Sequence, residues 1–258
     1  MTTGTCMNDP VTLRPLRRDD YPALAGMLRR MWYADPATSE ACARRLATID
    51  LHHCLSCSTI ATVAECGGEV VGMILARVDA DASFGRSTPL NRHVRRVMYE
   101  ALPLPFSAEG RRGIRDALNM VAVDARLMRG LTGRYDAEIV LFLVDERQRG
   151  RGVGRALFDH VMRRFRAGGV RRYFLFTDTT CDVGFYDHRG LTRVREEATS
   201  HVDGTSDTYY LVEGEAQKRR TRLEDADGRR RRRSSGEYDH ALGRRLPART
   251  CDPYRREC

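Results

Sequence analysis

The sequence predicts an α+β fold in which seven short strands are interspersed with helices. Two β-branched apolar runs, 59–65 and 69–78, flank Cys66-Gly67-Gly68, a pattern typical of a β-hairpin. The run Ala137–Val144 is almost continuously apolar, as in a strand buried on both faces of a sheet. A chain of 258 residues that is 41% hydrophobic can also build a sizeable core.

One strand and two helices are predicted before the hairpin. Residues 11–16 form the short first strand. Asp19 or Asp20 is expected to cap the first helix, with Pro22 in its first turn. A second short helix is predicted over about 39–50.

Helices dominate the stretch between the hairpin and the strand Ala137–Val144. Residues 79–107 are mixed and contain one short helix, and a longer helix spans about 109–131. Apolar residues at helical spacing define the face of this longer helix that we expect to be buried. They are Ile114, Leu118, Val121 and Met128.

The last third of the chain follows the same alternation. A helix over 152–167 ends at Gly168-Gly169, where glycine is a common helix terminator. The remaining predicted elements are a strand over 173–177, a short helix containing Phe185 and Tyr186, and closing strands over 191–202 and 207–213.

Charge is unevenly distributed along the chain. The formal net charge is +9, and residues 216–258 account for +7 of it, with 14 basic and 7 acidic residues. We therefore predict three segments: a disordered N-terminus over 1–10, one domain over 11–215, and a basic, arginine-rich, disordered tail over 216–258. The tail has few aromatic residues for base stacking, so we do not expect it to bind nucleic acid.

The hydropathy pattern along the chain is not typical of a membrane protein or a secreted protein. No apolar run approaches the ~18 residues that a membrane-spanning helix needs. The N-terminal residues lack a basic region followed by an apolar one, so no secretory signal is predicted. We expect a cytoplasmic protein whose eight cysteines are reduced.

A glycine-rich turn, Arg149–Gly154, connects the apolar strand to the helix that follows. Glycines let the backbone approach a ligand closely, and the free amides of a helix start favour a pyrophosphate. An ordinary strand-to-helix turn is the alternative. The Gly-Lys-Ser/Thr of a Walker loop and the Gly-x-Gly-x-x-Gly of a dinucleotide fold are both absent here.

The turn instead reads Arg-x-x-Gly-x-Gly, which resembles the signature of the GNAT superfamily of acetyl-coenzyme A-dependent N-acyltransferases. The resemblance extends over about 11–213. It includes Leu13–Asp20, the hairpin strand Val70–Ala76 and the Phe-Tyr-x-x-x-Gly segment Phe185–Leu191. It implies a GNAT-type α/β/α fold: a mixed, mostly antiparallel central sheet of six to seven strands, flanked by helices, with a helical insertion between strands 3 and 4.

The resemblance also implies acetyl-coenzyme A (acetyl-CoA) as acyl donor, with no metal. Backbone groups of one strand would pair with the pantetheine arm where the sheet splays beside a bulge, and the turn would hold the pyrophosphate. Thr179 stands where the family often has asparagine, so its contact with the arm is a weaker expectation. The implied coenzyme-binding residues are Phe142, Leu143, Val144, Arg149, Gly150, Arg151, Gly152, Val153, Gly154 and Thr179.

Two residues are candidate catalysts. Tyr186 matches the tyrosine that commonly protonates the departing thiolate; the alternative is a buried aromatic residue with a satisfied hydroxyl. Glu138 is the only charge in its strand, and some family members use a glutamate there as general base. Its alternatives are a structural ion pair with an arginine or an exposed strand end. Asp182 is expected to cap the helix that carries Tyr186.

The predicted function is transfer of an acetyl group to a primary amine of a small molecule or protein, by direct attack in a ternary complex. A non-catalytic acyl-CoA-binding module, whose basic tail contacts nucleic acid or a partner, is the alternative. The resemblance implies that the region 79–132 and the loop with Trp32, Tyr33 and Asp35 shape the acceptor pocket; alternatively, Trp32 packs into the core. A homodimer is left open. His52-His53-Cys54-Leu-Ser-Cys57 lacks a second ligand pair, so helix-end residues are favoured over zinc.

Overall fold

A computed structural model describes residues 9–78, 91–131, 133–200 and 206–216. All of them belong to one unit, Met1–Gln217. The predictions of a disordered N-terminus and a disordered tail fall almost wholly outside the described residues.

The described strands form a seven-stranded sheet with the order β1-β2-β3-β4-β5-β7-β6. Every neighbouring pair is antiparallel except β4 and β5, which run parallel. The strands are β1 Thr12–Pro15, β2 Ile60–Cys66, β3 Glu69–Val78, β4 Ala137–Val144, β5 Arg172–Asp178, β6 Thr192–Ser200 and β7 Ser206–Glu215.

Helices cover both faces of this sheet. They are α1 Tyr21–Trp32, α2 Glu40–Ser56, α3 Arg92–Ala101, α4 Ala108–Met128, α5 Val153–Ala167 and α6 Val183–His188. Apolar residues of α5 and α6 share a buried cluster with one face, whereas α1, α2 and α4 cover the other. This confirms the mixed, mostly antiparallel sheet flanked by helices, with α3 and α4 inserted between β3 and β4. None of the described helices is long and apolar enough to cross a membrane.

The buried face of α4 differs from the predicted one. Leu118 and Val121 are 65% and 53% exposed, whereas Val123 and Leu127 are buried against Phe174 of β5. Apolar residues occur on several sides of this helix, so the periodicity does not define one face. The buried face of α4 is the one that packs against the apolar side chains of the sheet.

The start of α1 is also built differently from the prediction. Asp20 makes no side-chain cap for α1. Its buried carboxylate instead accepts hydrogen bonds from the Arg14 guanidinium at 2.8 and 2.9 Å and from the Arg17 amide at 2.7 Å. Pro22 does lie in the first turn, as predicted. The sequence also underestimates α2, which continues to Ser56.

Candidate functional site

Strands β4 and β5 separate soon after they begin. Their parallel pairing is limited to Ala137 with Tyr173 and Glu138 with Phe174. Beyond Glu138, β4 remains paired with β3 up to Val144 but not with β5. The sheet therefore contains a wedge-shaped opening whose apex lies at Glu138.

A β-bulge lies next to this apex. Leu75 of β3 pairs with Leu141 and Ala76 pairs with Ile139, so Val140 is an extra residue in β4. Before the bulge, Ile139 packs in the cluster under α5; after it, Leu141 packs under α1 and α2. The bulge therefore reverses which side chains of β4 face which layer.

The backbone of β4 presents polar groups to the opening. The Asp145 amide donates to the Val71 carbonyl of β3 at 2.9 Å. Successive amides of an extended strand point to opposite sides. The amide of Leu143 therefore faces β3, whereas those of Phe142 and Val144 face the opening. An extended ligand lying there could pair with them as a strand would.

The glycine-rich turn closes the wide end of the opening. Gly150 and Gly152 have φ of 78° and 77°, a left-handed conformation that glycine adopts without the strain of a side chain. Gly152 is the N-cap of α5, and no side chain caps the helix. The first amides of α5 are thus available, with the positive end of the helix dipole behind them.

The arginines of the turn are held on its surface. Arg149 lies 3.5 Å from Glu146, and both side chains are two-thirds exposed. Arg151 donates to the Gln148 side-chain oxygen at 2.7 Å. Arg149 is exposed and Arg151 is partly exposed, so both cations remain able to approach a phosphate. Surface pairs of this kind contribute about 0–1 kcal/mol and exchange easily.

Gly154 brings the turn against the opening. A methyl group at Gly154 would lie 3.5 Å from Phe142, 3.8 Å from Val144 and 3.7 Å from Phe185. The rings of Phe142 and Phe185 are 5.5 Å apart. A larger side chain at this position would therefore enter the space between β4 and α6. Val153 is buried beneath the turn in the cluster under α5.

Tyr186 is buried on α6 in the same cluster. Burial, with smaller effects from Cys181 and Asp182, raises the pKa of its hydroxyl well above the ordinary value. The phenol is therefore protonated at neutral pH and can act as a donor. Among the described residues no hydrogen bond involves this hydroxyl. Asp182 caps α6 by accepting from the Phe185 amide at 3.2 Å, which confirms the predicted cap.

Thr179 is engaged outside the opening. Its hydroxyl donates to Asp207 at 3.3 Å and accepts from the Thr208 amide at 3.3 Å. These contacts join the end of β5 to β7. The contact with the pantetheine arm stays a prediction.

An open pocket of about 420 Å³ adjoins the start of α5. Basic side chains form much of its wall, which suits a phosphorylated ligand. It is lined by Arg155, Asp182, Gly184, Phe185, His188 and Arg189.

Glu138, at the apex, is paired with an arginine. An Arg77 nitrogen lies 3.0 Å from its carboxylate, and the side chain of Glu138 is only 18% exposed. Arg77 stands opposite Glu138 in the β3–β4 register. The structural ion pair, one of the alternatives for this residue, is therefore present.

Two further carboxylates, on α2 and α4, are partly withdrawn from solvent, and that of Asp124 lies within range of the charge of Glu138 at the apex. Asp50 of α2 accepts from the Tyr33 hydroxyl at 3.4 Å and from Cys54 at 3.6 Å. Burial raises the pKa of the Asp50 carboxyl. Burial and the charge of Glu138 raise the pKa of Asp124, on α4, to about 7. Helical aspartates usually face solvent, so no sequence pattern marked them.

The predicted acceptor residues divide into two groups. Trp32 and Tyr33 pack against the buried cluster under α1 and α2. Asp35 instead lies in an exposed turn, where it accepts from the Ala37 amide at 2.9 Å and approaches Arg112 at 3.7 Å.

No group of three or more His, Cys, Asp or Glu able to hold a metal occurs within the described ranges. His52 of α2 instead contacts His93 of α3, with their Nδ1 atoms 2.9 Å apart. His53 and Cys54 lie inside α2, and Cys57 directly follows it.

Comparison with known proteins gives one family match. Residues 114–191, from α4 through α6, match the model of the acetyltransferase (GNAT) family. No curated protein matches the sequence.

Solved structures with similar folds include Ard1 from Thermoplasma volcanium, at 18% identity and a TM-score of 0.46, covering 81% of this chain and 99% of that one. The ribosomal-protein-S18-alanine N-acetyltransferase of Escherichia coli has 13% identity and a TM-score of 0.46, covering 83% and 99%. The Drosophila melanogaster polyamine N-acetyltransferase has 16% identity and a TM-score of 0.46, covering 78% and 99%.

Proposed function

The chain belongs to the GNAT family of acetyltransferases, and we propose that it transfers the acetyl group of acetyl-CoA to a primary amine of a small molecule or protein. One observation carries the proposal: the opening between β4 and β5 leads directly into the glycine-rich turn. In acetyl-CoA, the long polar arm would suit the opening, and the diphosphate would suit the glycine-rich turn. We propose that the reaction takes place in the cytoplasm.

The donor would be held mainly by the backbone. Phe142 and Val144 would pair with the amides of the pantetheine arm, and Leu143 would hold β4 to β3. The pyrophosphate would lie on the free amides of Val153 and Gly154, where the helix dipole favours negative charge. The turn Arg149–Gly152 would provide further amides and two guanidinium groups.

The arm then points towards the apex, because β4 runs from the apex to the turn. The acetyl group would lie near the bulge at Val140, where the opening narrows. An amine entering from the face covered by α1, α2 and α4 would meet the thioester carbonyl directly. Holding both reactants in one complex removes most of the entropic cost of their encounter.

At the apex, the carboxylate of Glu138 would attract the ammonium group of the acceptor or accept a proton from it. Tyr186 would serve the leaving group. The raised pKa of its hydroxyl keeps the proton available, and the coenzyme A thiolate needs one as the carbon–sulfur bond breaks. A phenol placed there would donate that proton or fix the sulfur by a hydrogen bond.

The test combines binding and turnover. Calorimetry with acetyl-CoA should show one site per chain, and free thiol should appear when an amine is added. The amines would be butylamine, 1,5-diaminopentane, 2-phenylethylamine and a peptide with a free N-terminus. Binding without thiol release from any of them would favour the acyl-CoA-binding module. No binding would contradict the proposal.

A further inference from the structure

A second carboxylate stands beside the apex of the opening, on the inserted helix α4. Asp124 is half-buried, although it belongs to a helix with an otherwise mostly exposed surface. Its neighbour Val123 is fully buried and shares a cluster with Phe174 of β5. Phe174 is the residue that pairs with Glu138 at the apex. The packing of α4 on the sheet therefore brings Asp124 to the point where β4 and β5 separate.

The two carboxylates at the apex have different surroundings. Glu138 is held by Arg77 at 3.0 Å, so its charge is matched by a fixed cation. No ion pair or hydrogen bond of the Asp124 side chain is found in the part of the chain that the structure describes. Asp124 is thus a partly desolvated carboxylate that lacks such a stabilising cation among the described residues.

Of two carboxylates, the one whose negative charge is less stabilised accepts a proton more readily. A base that works near neutral pH needs a pKa close to that pH, so that it is ionised and still attracts a proton. Burial, with the charge of Glu138, raises the pKa of Asp124 to about 7. Carboxylates held in unlike environments commonly take different roles within one site.

We propose that Asp124 is the catalytic base that accepts the proton of the acceptor ammonium, while Glu138, held by Arg77, acts as a fixed negative charge beside it. The inference rests on the proposed acetyl transfer, and it assigns the two carboxylates separate roles.

The protons and bonds balance in the following way. Asp124 takes one proton from the ammonium and later releases it to water. The amine nitrogen then forms a bond to the thioester carbonyl carbon, and the carbon–sulfur bond breaks. The nitrogen loses its second proton, which balances the proton that the thiolate receives through Tyr186. The products are an amide, free coenzyme A thiol and one proton.

The acceptor class follows from the same geometry. Two carboxylates lie at the apex, that of Glu138 in the sheet and that of Asp124 on α4. Such surroundings attract an ammonium group and repel a carboxylate. We therefore expect cationic amines without a neighbouring carboxylate to be preferred over free α-amino acids.

The test is the pH dependence of kcat/KM for the best amine of the panel, with saturating acetyl-CoA. The wild-type rate should fall on the acid side of about pH 7. Asp124→Asn should lower kcat/KM by roughly 100-fold or more at pH 7 and remove this decline. Glu138→Gln should retain more activity than Asp124→Asn and move the decline to lower pH, because it removes a neighbouring negative charge.

Asp116→Asn is the matched control. Asp116 lies on the same helix but is exposed, so its profile should equal that of the wild type. Calorimetry should give the same acetyl-CoA affinity for all four proteins, which excludes misfolding. An Asp124→Asn variant with the wild-type rate and profile would overturn this inference alone. Absence of both acetyl-CoA binding and turnover in the wild type would overturn the proposed function and this inference with it.

Discussion

Arg77 and Glu138 face each other on neighbouring strands, with a guanidinium nitrogen 3.0 Å from the carboxylate. The pair lies at the apex of the opening, where β4 parts from β5. The cation of Arg77 is expected to offset part of the negative charge that Glu138 exerts on Asp124. With Asp124 as the proposed base, the arginine would help to set the pH range of the proposed reaction without a chemical step of its own.

Replacing Arg77 should shift the pH profile in the direction opposite to Glu138→Gln. In Arg77→Met the charge of Glu138 is no longer matched, so protonation of Asp124 becomes easier and the acid-side decline of kcat/KM should move to higher pH. The measurement is the pH profile of thiol release, with acetyl-CoA affinity checked at each pH. A shift to lower pH would contradict the arrangement.

The glycine at the start of α5 should matter for binding as well as for folding. Gly152→Ala and Gly169→Ala introduce the same strain, because both residues have φ near 77° and open space around the added methyl group. Each should lower the free energy of unfolding by about 1 kcal/mol. Only Gly152→Ala, which alters the amides next to the proposed pyrophosphate, should weaken acetyl-CoA binding, by roughly tenfold, or about 1.4 kcal/mol.

Urea unfolding and calorimetry on the two variants provide these numbers. Gly169 follows the end of α5, at the opposite end of the helix from the turn, so it reports the strain alone. Equal affinities in the two variants would mean that the turn does not hold the ligand.

Removing the Tyr186 hydroxyl should slow turnover without weakening binding. Tyr186→Phe is expected to lower kcat by about 10- to 100-fold, because the phenol assists departure of the thiolate. Its KM for acetyl-CoA should change little. Tyr173→Phe is the matched control, since Tyr173 is buried in the same cluster. Similar kcat values for the two variants would assign Tyr186 a packing role only.

The buried Arg14–Asp20 pair should make the fold sensitive to acid. Hydrogen bonds from Arg14 hold the pKa of Asp20 below its usual value. A lowered pKa in the folded state contributes stability above the unfolded value of about 4, and this contribution is lost as the pH falls further.

Arg14→Ala should therefore destabilise the protein at pH 7 by about 3 kcal/mol, because it leaves a buried carboxylate without its cation. The difference between variant and wild type should shrink between about pH 4 and pH 2. Urea midpoints at pH 7 and pH 3 test this directly. A difference that grows on acidification would contradict the role given to Asp20.

The sequence predicts the strands and the turn well because their signals are local. β3 and β4 begin and end at the predicted residues, and the glycine-rich turn leads into a helix, as predicted. The family resemblance implies a bulge beside the opening, but its position at Val140 could not be predicted, since the residues from Ile139 to Val144 are all apolar and give no register.

The same limitation applies to the helices around the acceptor side. Leu118 and Val121 fit a helical stripe as well as Val123 and Leu127 do. Packing of α4 against Phe174 of the sheet decides which pair is buried. When that face of α4 packs on the sheet, Asp124 lies beside the apex of the opening. Its candidate role is thus a consequence of tertiary packing, which no spacing of carboxylates along the chain reveals.

Binding of acetyl-CoA between β4 and β5 is tested most directly by amide hydrogen exchange with and without the ligand. The amides of Phe142, Val144 and Val153 should exchange more slowly when acetyl-CoA is present. Asp145, already bonded to Val71, should change little. Protection confined to other strands, or none at saturating acetyl-CoA, would contradict binding in this opening.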